Sequence, residues 1–394
     1  MKAITAAAVA RHRRDLLEVT AIPTATGRED RVAAWVRAWC RSQKVGVRAD
    51  RYGNLWLTPP DATRTGRPWV LSAHLDHPAF VVTAAEGRRV TAEFRGGVAD
   101  AYFENAKVRL WRGGATHAAD GRGVPGRVTE LRPADPREPG SFKTATLTFT
   151  RDPAAEPGDF ATWDLGGSVV RKTGANAELH TPVCDNLAGL AAGLAAFGEL
   201  IRRGAARRTR FLCTRAEEVG FVGAVGAIDS GLLPAGARMV VLENSKASGD
   251  APQGGGPVVR VGDATSTFTP ELTAELAAAG RALAAADAGF AWQRKLMTGG
   301  TCEASAYAAW GMAAACVCLP LGNYHNMDEG RGVIAREFIR LSDFDGLVRL
   351  LVAAGERAAH GGGHGEPSLR GRLEALFAAR RGVLWGVETR RGGP

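Results

Sequence analysis

Apolar residues recur at helical spacing over residues 5–20 and 28–43, which predicts two amphipathic helices near the start of the chain. YGNLWLTP (52–59) reads as a strand after a turn. PWVLSAH (68–74) is apolar almost without interruption and predicts a buried strand. From about Val81 to Arg171 the pattern changes to short alternating runs, RRVTAEF, AKVRLW, GRVTEL and TATLTF, punctuated by Gly, Pro and Asp. Runs of that kind predict a small all-β unit. Beyond Arg171 helices and strands alternate. NLAGLAAGLAAFGELIRRG, GFVGAVGAIDSGLL, PELTAELAAAGRALAAA and EASAYAAWG are helical in spacing, and RTRFLCT, ARMVVLE, FAWQRKL and AAACVCLP are strands between or after them.

Such alternation predicts an α/β fold, a mostly parallel sheet covered by helices on both faces, with the small all-β domain inserted into it. The expected organisation is a catalytic α/β domain from residues 1–80 and 172–355 and an inserted β domain over 81–171. A C-terminal tail, 356–394, carries a Gly/His-rich connection and a short helix near 368–380.

Composition narrows the function classes. The 394 residues are 45% hydrophobic and 23% charged, as in ordinary water-soluble domains, and no apolar run is long enough to span a bilayer. The net charge of +9 comes mostly from Arg spread along the chain, without a basic run interleaved with aromatics, so no nucleic-acid or membrane partner is expected. The six Cys form no CxxC pair and several lie in apolar runs such as FLCT and ACVCLP. They read as buried, reduced thiols, which points to a cytoplasmic location and away from a zinc-thiolate site.

In open parallel sheets ligands gather beyond the carboxyl ends of the strands. In this chain His74 and Asp76 follow WVLSA, Glu217 and Glu218 follow RFLCT, Glu243 ends MVVLE, and Tyr324 and His325 follow ACVCLP. Asp185, in TPVCDN, stands at the start of the long helix. Singly, each has a plain reading, as a helix cap, a dipole partner or a hydrogen-bonded structural His. Together they fit a two-metal site, which needs one bridging carboxylate plus a nitrogen and a further carboxylate per ion. Asp185 is the natural bridge, His74 and His325 the imidazoles, and Glu218 and Glu243 the terminal carboxylates. Asp76 suits the orienting of the His74 ring, and Glu217, not needed as a ligand, suits a general base toward the attacking water.

HLDHPAF, CDN, EEVGFVGA, VLEN, MTGGT and NYHN resemble the co-catalytic metal aminopeptidases of the tetrahedral, glutamyl or deblocking type, over roughly residues 5 to 355. The resemblance includes the β insertion between the first His and the bridging Asp. It implies the same ligands, His74, Asp185, Glu218, Glu243 and His325, with Glu217 as the base. It further implies two divalent ions, zinc above all but also cobalt or manganese, peptide substrates cut after their N-terminal residue, and a homo-oligomer. This chain departs from the family pattern in three places, the first being Glu243, where the family's fourth carboxylate is often Asp. His77 stands where an acidic residue usually follows His-x-Asp, and GGTD is GGTC here, with Glu303 next. A free peptide ammonium needs a counter-charge, and Glu303 or Glu217 could supply it. The related dimetal carboxypeptidases and amide deacylases share the ligand order, but place their accessory domain later in the chain. A non-catalytic peptide-binding or scaffold relative would be expected to have lost a ligand or the base, and all are present.

Overall fold

The computed structural model describes residues 2–63, 66–112, 123–138, 140–359 and 369–384. The Gly/His-rich connection expected after residue 359 lies outside them. Two helices, α1 (Ala6–Val19) and α2 (Asp30–Ser42), come first, followed by strands β1 (Gly46–Ala49), β2 (Leu55–Thr58) and β3 (Trp69–His74). The chain then makes six strands: β4 (Ala79–Glu86), β5 (Arg89–Arg95), β6 (Lys107–Trp111), β7 (Val124–Arg132), β8 (Lys143–Phe149) and β9 (Phe160–Trp163). These close into an antiparallel barrel in the order β4-β5-β8-β7-β6-β9. Alternate residues point inward, and Phe80, Phe94, Phe103 and Trp163 meet there mostly edge to face, at centroid distances of 4.7–5.9 Å.

After β10 (Val169–Arg171) and β11 (Glu178–Thr181), α3 (Leu187–Arg202) returns the chain to the main body. The remaining elements are β12 (Thr209–Thr214), α4 (Val222–Asp229), β13 (Arg238–Lys246), β14 (Val258–Gly262), α5 (Pro270–Ala286), β15 (Gln293–Leu296), α6 (Glu303–Ala309) and β16 (Ala313–Leu321). A hairpin, β17 (Met327–Asp328) and β18 (Val333–Ile334), then leads into β19 (Glu337–Arg340), α7 (Leu341–Ala359) and α8 (Leu369–Arg380).

The main sheet runs β1-β2-β12-β3-β13-β16-β14-β15. Its four central strands, β12, β3, β13 and β16, are mutually parallel, so their carboxyl ends emerge along one edge. The apolar runs that looked continuous in the sequence are divided between two cores. Leu71, Phe211, Val240 and Val317 face α1, α2, α3, α5 and α7, while Val70, Leu212, Val241 and Cys316 face α4 and α6. Burial on both faces is what makes a parallel strand read as unbroken apolar sequence. Helix α3 is buried along nearly its whole length and carries Gly193 at its contact with the sheet, where a Cβ would come within 2.6 Å of the Phe211 ring. That close approach lets α3 lie directly against β12 and β13. The predicted strand FAWQRKL is shorter than its sequence pattern, only Gln293–Leu296, because β15 is an edge strand with alternating exposure.

Candidate active site

The polar groups singled out in the sequence sit at the edge where the parallel strands end. His74 is the last residue of β3 and pairs across the sheet with Thr214, the last residue of β12. The turn after β12 then presents Glu217 and Glu218. Glu243 lies in the carboxyl half of β13, and His325 comes after β16 in a short turn. All are buried or nearly so: His74 is 1% exposed, Asp185 3%, Glu243 4%, His325 5% and Glu217 9%.

The arrangement has two halves joined by Asp185. His74 Nε2 lies 3.5 Å from Asp185 Oδ1 and 3.7 Å from Glu243 Oε2. His325 Nε2 lies 3.2 Å from Glu218 Oε2 and 3.8 Å from the other oxygen of Asp185, Oδ2. Glu217 Oε2 is 3.9 Å from His74 Nε2. Burial opposes a charge on His74, yet Glu217, Asp185, Asp76 and Glu243 hold its pKa well above the ordinary value. His325 is likewise pushed up to about 9, against burial, by Glu218, Asp185 and the Gly97 carbonyl. Burial, with repulsion from Glu243, Glu218 and Glu303, raises the Glu217 carboxyl well above the carboxylate range, against the pull of His74.

These groups could hold cations. His74, Glu217 and Glu243 can bring one donor atom each within 4.8 Å of one another, and so can His74, Asp185 and Glu218. Asp185 Oδ1, Glu218 Oε1, Glu243 Oε1 and His325 Nε2 are buried without a hydrogen-bond partner. Buried polar atoms are rarely left so, and buried carboxylates in each other's company need positive charge. Nitrogen and carboxylate donors with no thiolate suit zinc, cobalt or manganese.

Backbone hydrogen bonds hold the donors in place. Asp76 accepts from the N–H groups of Glu217 (3.0 Å) and Glu218 (3.2 Å) and from the Thr26 hydroxyl (2.8 Å), and its Oδ1 is 3.4 Å from His74 Nδ1. The hydrogen bonds of Asp76 thus go to the backbone of the acidic pair and to Thr26, while His74 Nδ1 is near it without a hydrogen bond. The buried Glu29 carboxylate accepts from the Ala216 N–H and pairs with Arg215, fixing the same turn from behind. His325 Nδ1 donates to the Gly97 carbonyl at 2.7 Å, so the segment leaving β5 of the barrel orients an imidazole of the main body.

His77 does not face the site cavity. Its Nδ1 lies 2.5 Å from the Asp185 carbonyl and its Nε2 3.0 Å from Asn326 Oδ1. Glu303 is fully buried under β3, accepting a hydrogen bond from Ser72 (3.3 Å), and its neighbour Cys302 lines the cavity instead. Of the two acids offered as a counter-charge for a substrate ammonium, only Glu217 lines the cavity. Sequence reading overlooked Arg260 and Glu337, and met Asn326 only as the last residue of NYHN. Arg260 carried a signal, a charged residue inside the apolar run VVRVG.

The cavity beside the site has a volume of about 610 Å³. It is bounded by the six donors, Phe221, Leu296–Cys302, Ser245 and Arg260. The volume falls in the range of pockets that enclose small ligands.

A buried cluster of His and carboxylate donors at the carboxyl edge of a parallel sheet, opening onto a cavity, is the kind of site a metal-dependent exopeptidase needs. The chain belongs to the M42 glutamyl aminopeptidase family, whose model matches residues 53–332. It is a metallo-aminopeptidase, a hydrolase. Among curated proteins, no sequence matches it. Solved structures of the same fold include the Pyrococcus horikoshii TET1 peptidase, at 18% identity and a TM-score of 0.67, covering 87% of this chain and 99% of that one. An aminopeptidase from the archaeon Desulfurococcus kamchatkensis matches with 19% identity and a TM-score of 0.69, covering 89% of this chain and 95% of that one. The TET aminopeptidase of a marine-sediment Thaumarchaeota archaeon matches with 16% identity and a TM-score of 0.68, covering 88% and 96%.

Stripping divalent ions with a chelator should abolish hydrolysis of aminoacyl reporters and lower the thermal midpoint by several degrees, since four carboxylates then face one another without cations. Adding zinc or cobalt should restore both, as scanning fluorimetry and a reporter assay on the same sample would show. A stripped protein with unchanged melting and activity contradicts the metal requirement.

Proposed function

We propose that the protein is a dinuclear aminopeptidase that removes acidic residues from the N-terminus of peptides. The observation that carries the acidic preference is Arg260. It lines the cavity yet is only 4% exposed, its Nε has no hydrogen-bond partner, and Nη1 reaches only the Ser245 hydroxyl at 3.3 Å. Its guanidinium stands 6.0 Å from the Phe268 ring, and among the described residues no carboxylate lies within ion-pair distance of it. Glu243 acts on it electrostatically from across the site. Once Glu243 serves a cation, Arg260 is left as a desolvated charge without a partner. A substrate carboxylate, received in the guanidinium's planar fork, supplies that partner.

His74, Asp185 and Glu243 would hold one ion, and Asp185, Glu218 and His325 the other, with zinc the first choice. When bound, such a pair supplies an acidified water and Lewis acidity toward the scissile carbonyl. Glu217, at the cavity wall and bound to neither half by the shortest contacts, takes the proton of the attacking water and passes it to the leaving amine. Asp76 keeps Glu217 and Glu218 in register while this happens, and the unused oxygen of Glu217 faces the substrate ammonium. The free, buried cysteines fit a reducing, cytoplasmic setting.

A second reading rests on the same arginine, because Arg260 could also grip a C-terminal carboxylate, as a carboxypeptidase needs. Glutamyl amide reporters have a free amine and no terminal carboxylate, and N-acetyl peptides have the reverse. Turnover of the first and not the second supports the aminopeptidase, and the opposite result the carboxypeptidase. Arg260→Met should reduce kcat/KM for the glutamyl reporter by about 10–100-fold, the worth of one charged hydrogen bond of about 1.5–3 kcal/mol, and leave a leucyl reporter nearly unchanged. Equal losses on both reporters would remove Arg260 from specificity.

The two adjacent glutamates should separate by experiment. Glu218→Ala should lower metal content and activity together. Glu217→Gln should keep both ions while losing about 10²–10⁴ in turnover. Metal analysis by mass spectrometry beside steady-state kinetics checks both, and a Glu217→Gln protein with near-normal turnover would overturn the assignment.

Assembly into a homo-oligomer is also proposed. The Pyrococcus horikoshii TET1 peptidase can form a tetrahedron or a large octahedral shell. In this chain Val169 and Val170 stand exposed on β10, the edge strand of the sheet β10-β11-β19. An apolar open edge of that kind seeks a partner. Light scattering at micromolar concentration should give a multiple of the 41.4 kDa chain mass; a monomer mass ends the proposal.

A further inference from the structure

Two of the proposed metal-binding loops, those of Asp185 and His325, are tied to a single side chain that is not itself among the proposed ligands. Glu337, the first residue of β19, is completely buried. Its Oε2 accepts hydrogen bonds from the backbone N–H of Cys184 (2.6 Å) and of Asp185 (2.9 Å), and its Oε1 accepts one from the N–H of His325 (2.9 Å). Both oxygens are thus committed to backbone donors. The far side of the Asp185 peptide is gripped as well, since its carbonyl meets His77 Nδ1. The His77 ring is braced by Asn326, whose amide nitrogen donates to the Pro182 carbonyl at 2.9 Å and so leaves its oxygen facing the ring.

The need for such a clamp is visible in the backbone. Asn323, His325 and Asn326 all lie in the left-handed region, with φ of 54°, 54° and 63°. Side-chain-bearing residues occupy that region at a cost of about 1 kcal/mol or more each, and they stay there only when their surroundings hold them. The Glu337 bond to the His325 N–H is a charge-assisted bond at the centre of that strained turn, which makes it of the stronger kind.

We infer that Glu337 is a positioning residue for both metal sites, fixing the loop of the bridging Asp185 and the loop of His325 to one another before any ion arrives. The inference rests on the ligand assignment proposed above. Ligands held in advance bind with less ordering cost, and groups that orient ligands from behind are worth about 10–100-fold in metal affinity. Asp185 belongs to both halves of the site, so loss of Glu337 should weaken both ions, not one.

The test uses the full-length protein, stripped of metal and titrated with Co²⁺ against a chromophoric chelator. Wild type should take up two ions; if it binds none, the ligand assignment itself fails. Given two ions in wild type, Glu337→Gln, which sets an amide donor against backbone donors, should bind both about 10–100-fold more weakly. It should also show an altered visible spectrum of the bound cobalt. Glu178→Gln serves as the control: Glu178 is buried in the same three-stranded sheet and pairs with Lys172. That variant should lower the thermal midpoint and leave cobalt affinity and spectrum as in wild type. If Glu337→Gln does not fold, Glu337→Asp, which withdraws the carboxylate by one methylene, is read in the same way. A folded Glu337 variant with wild-type affinity and spectrum, however much its melting falls, overturns the inference.

Discussion

The organising constraint at this site is the cost of crowding like charge away from water. Asp185, Glu217, Glu218 and Glu243 converge beside His74 and His325 at the edge of a sheet whose central strands are otherwise largely apolar. Left to themselves, such groups would take up protons or turn toward solvent. The backbone that carries them is pinned by acceptors deeper in the protein, which keeps them converged. Asp76 takes the N–H groups of the acidic pair, and Glu29 those of Gly27 and Ala216. The fold commits some buried carboxylates to its own main chain so that others stay free to bind cations.

The two parts of the molecule meet in the same chemistry. The barrel has its own aromatic core, yet the carbonyl of Gly97 reaches His325, and Pro78 and Ala79 come directly after His77 at the start of β4. The barrel is therefore attached on both sides of the donor set, and its orientation relative to the sheet enters the geometry of one imidazole.

The inserted β unit, though not its closure into a barrel, was legible in its short alternating runs, and the parallel sheet and the polar groups at its edge were legible for a different reason. Apolar strands buried on both faces stand out, and so do the polar residues that end them. His74, Glu217, Glu218, Glu243 and His325 could all be named as polar residues at or just beyond the end of an apolar run, and Asp185 as the acid that precedes a long helix. The residues that hold them could not. Glu337 lies in REFIR, which reads as an ordinary half-exposed strand, and nothing local shows that its carboxylate turns inward to three backbone donors. Glu303 misled for the converse reason: an acid next to a family motif looked available to substrate, but helix α6 begins with it facing the underside of β3. Arg260 was in plain view within VVRVG, but that it lines the cavity could not be read from the sequence.

The hairpin β17–β18 lies between His325 and Glu337, two residues that act on one another through a single hydrogen bond. Its tip, Glu329 to Val333, is exposed, and both of its ends are fastened, by Asn326 on one side and Glu337 on the other. Chain length at that tip is uncoupled from the geometry beneath it. The tip also lies close to the cavity, since Glu329 pairs with Lys246 on the cavity wall. A fluorophore or a short recognition sequence grafted there would ride beside the pocket, losing the Glu329–Lys246 pair but keeping the hydrogen bond between His325 and Glu337.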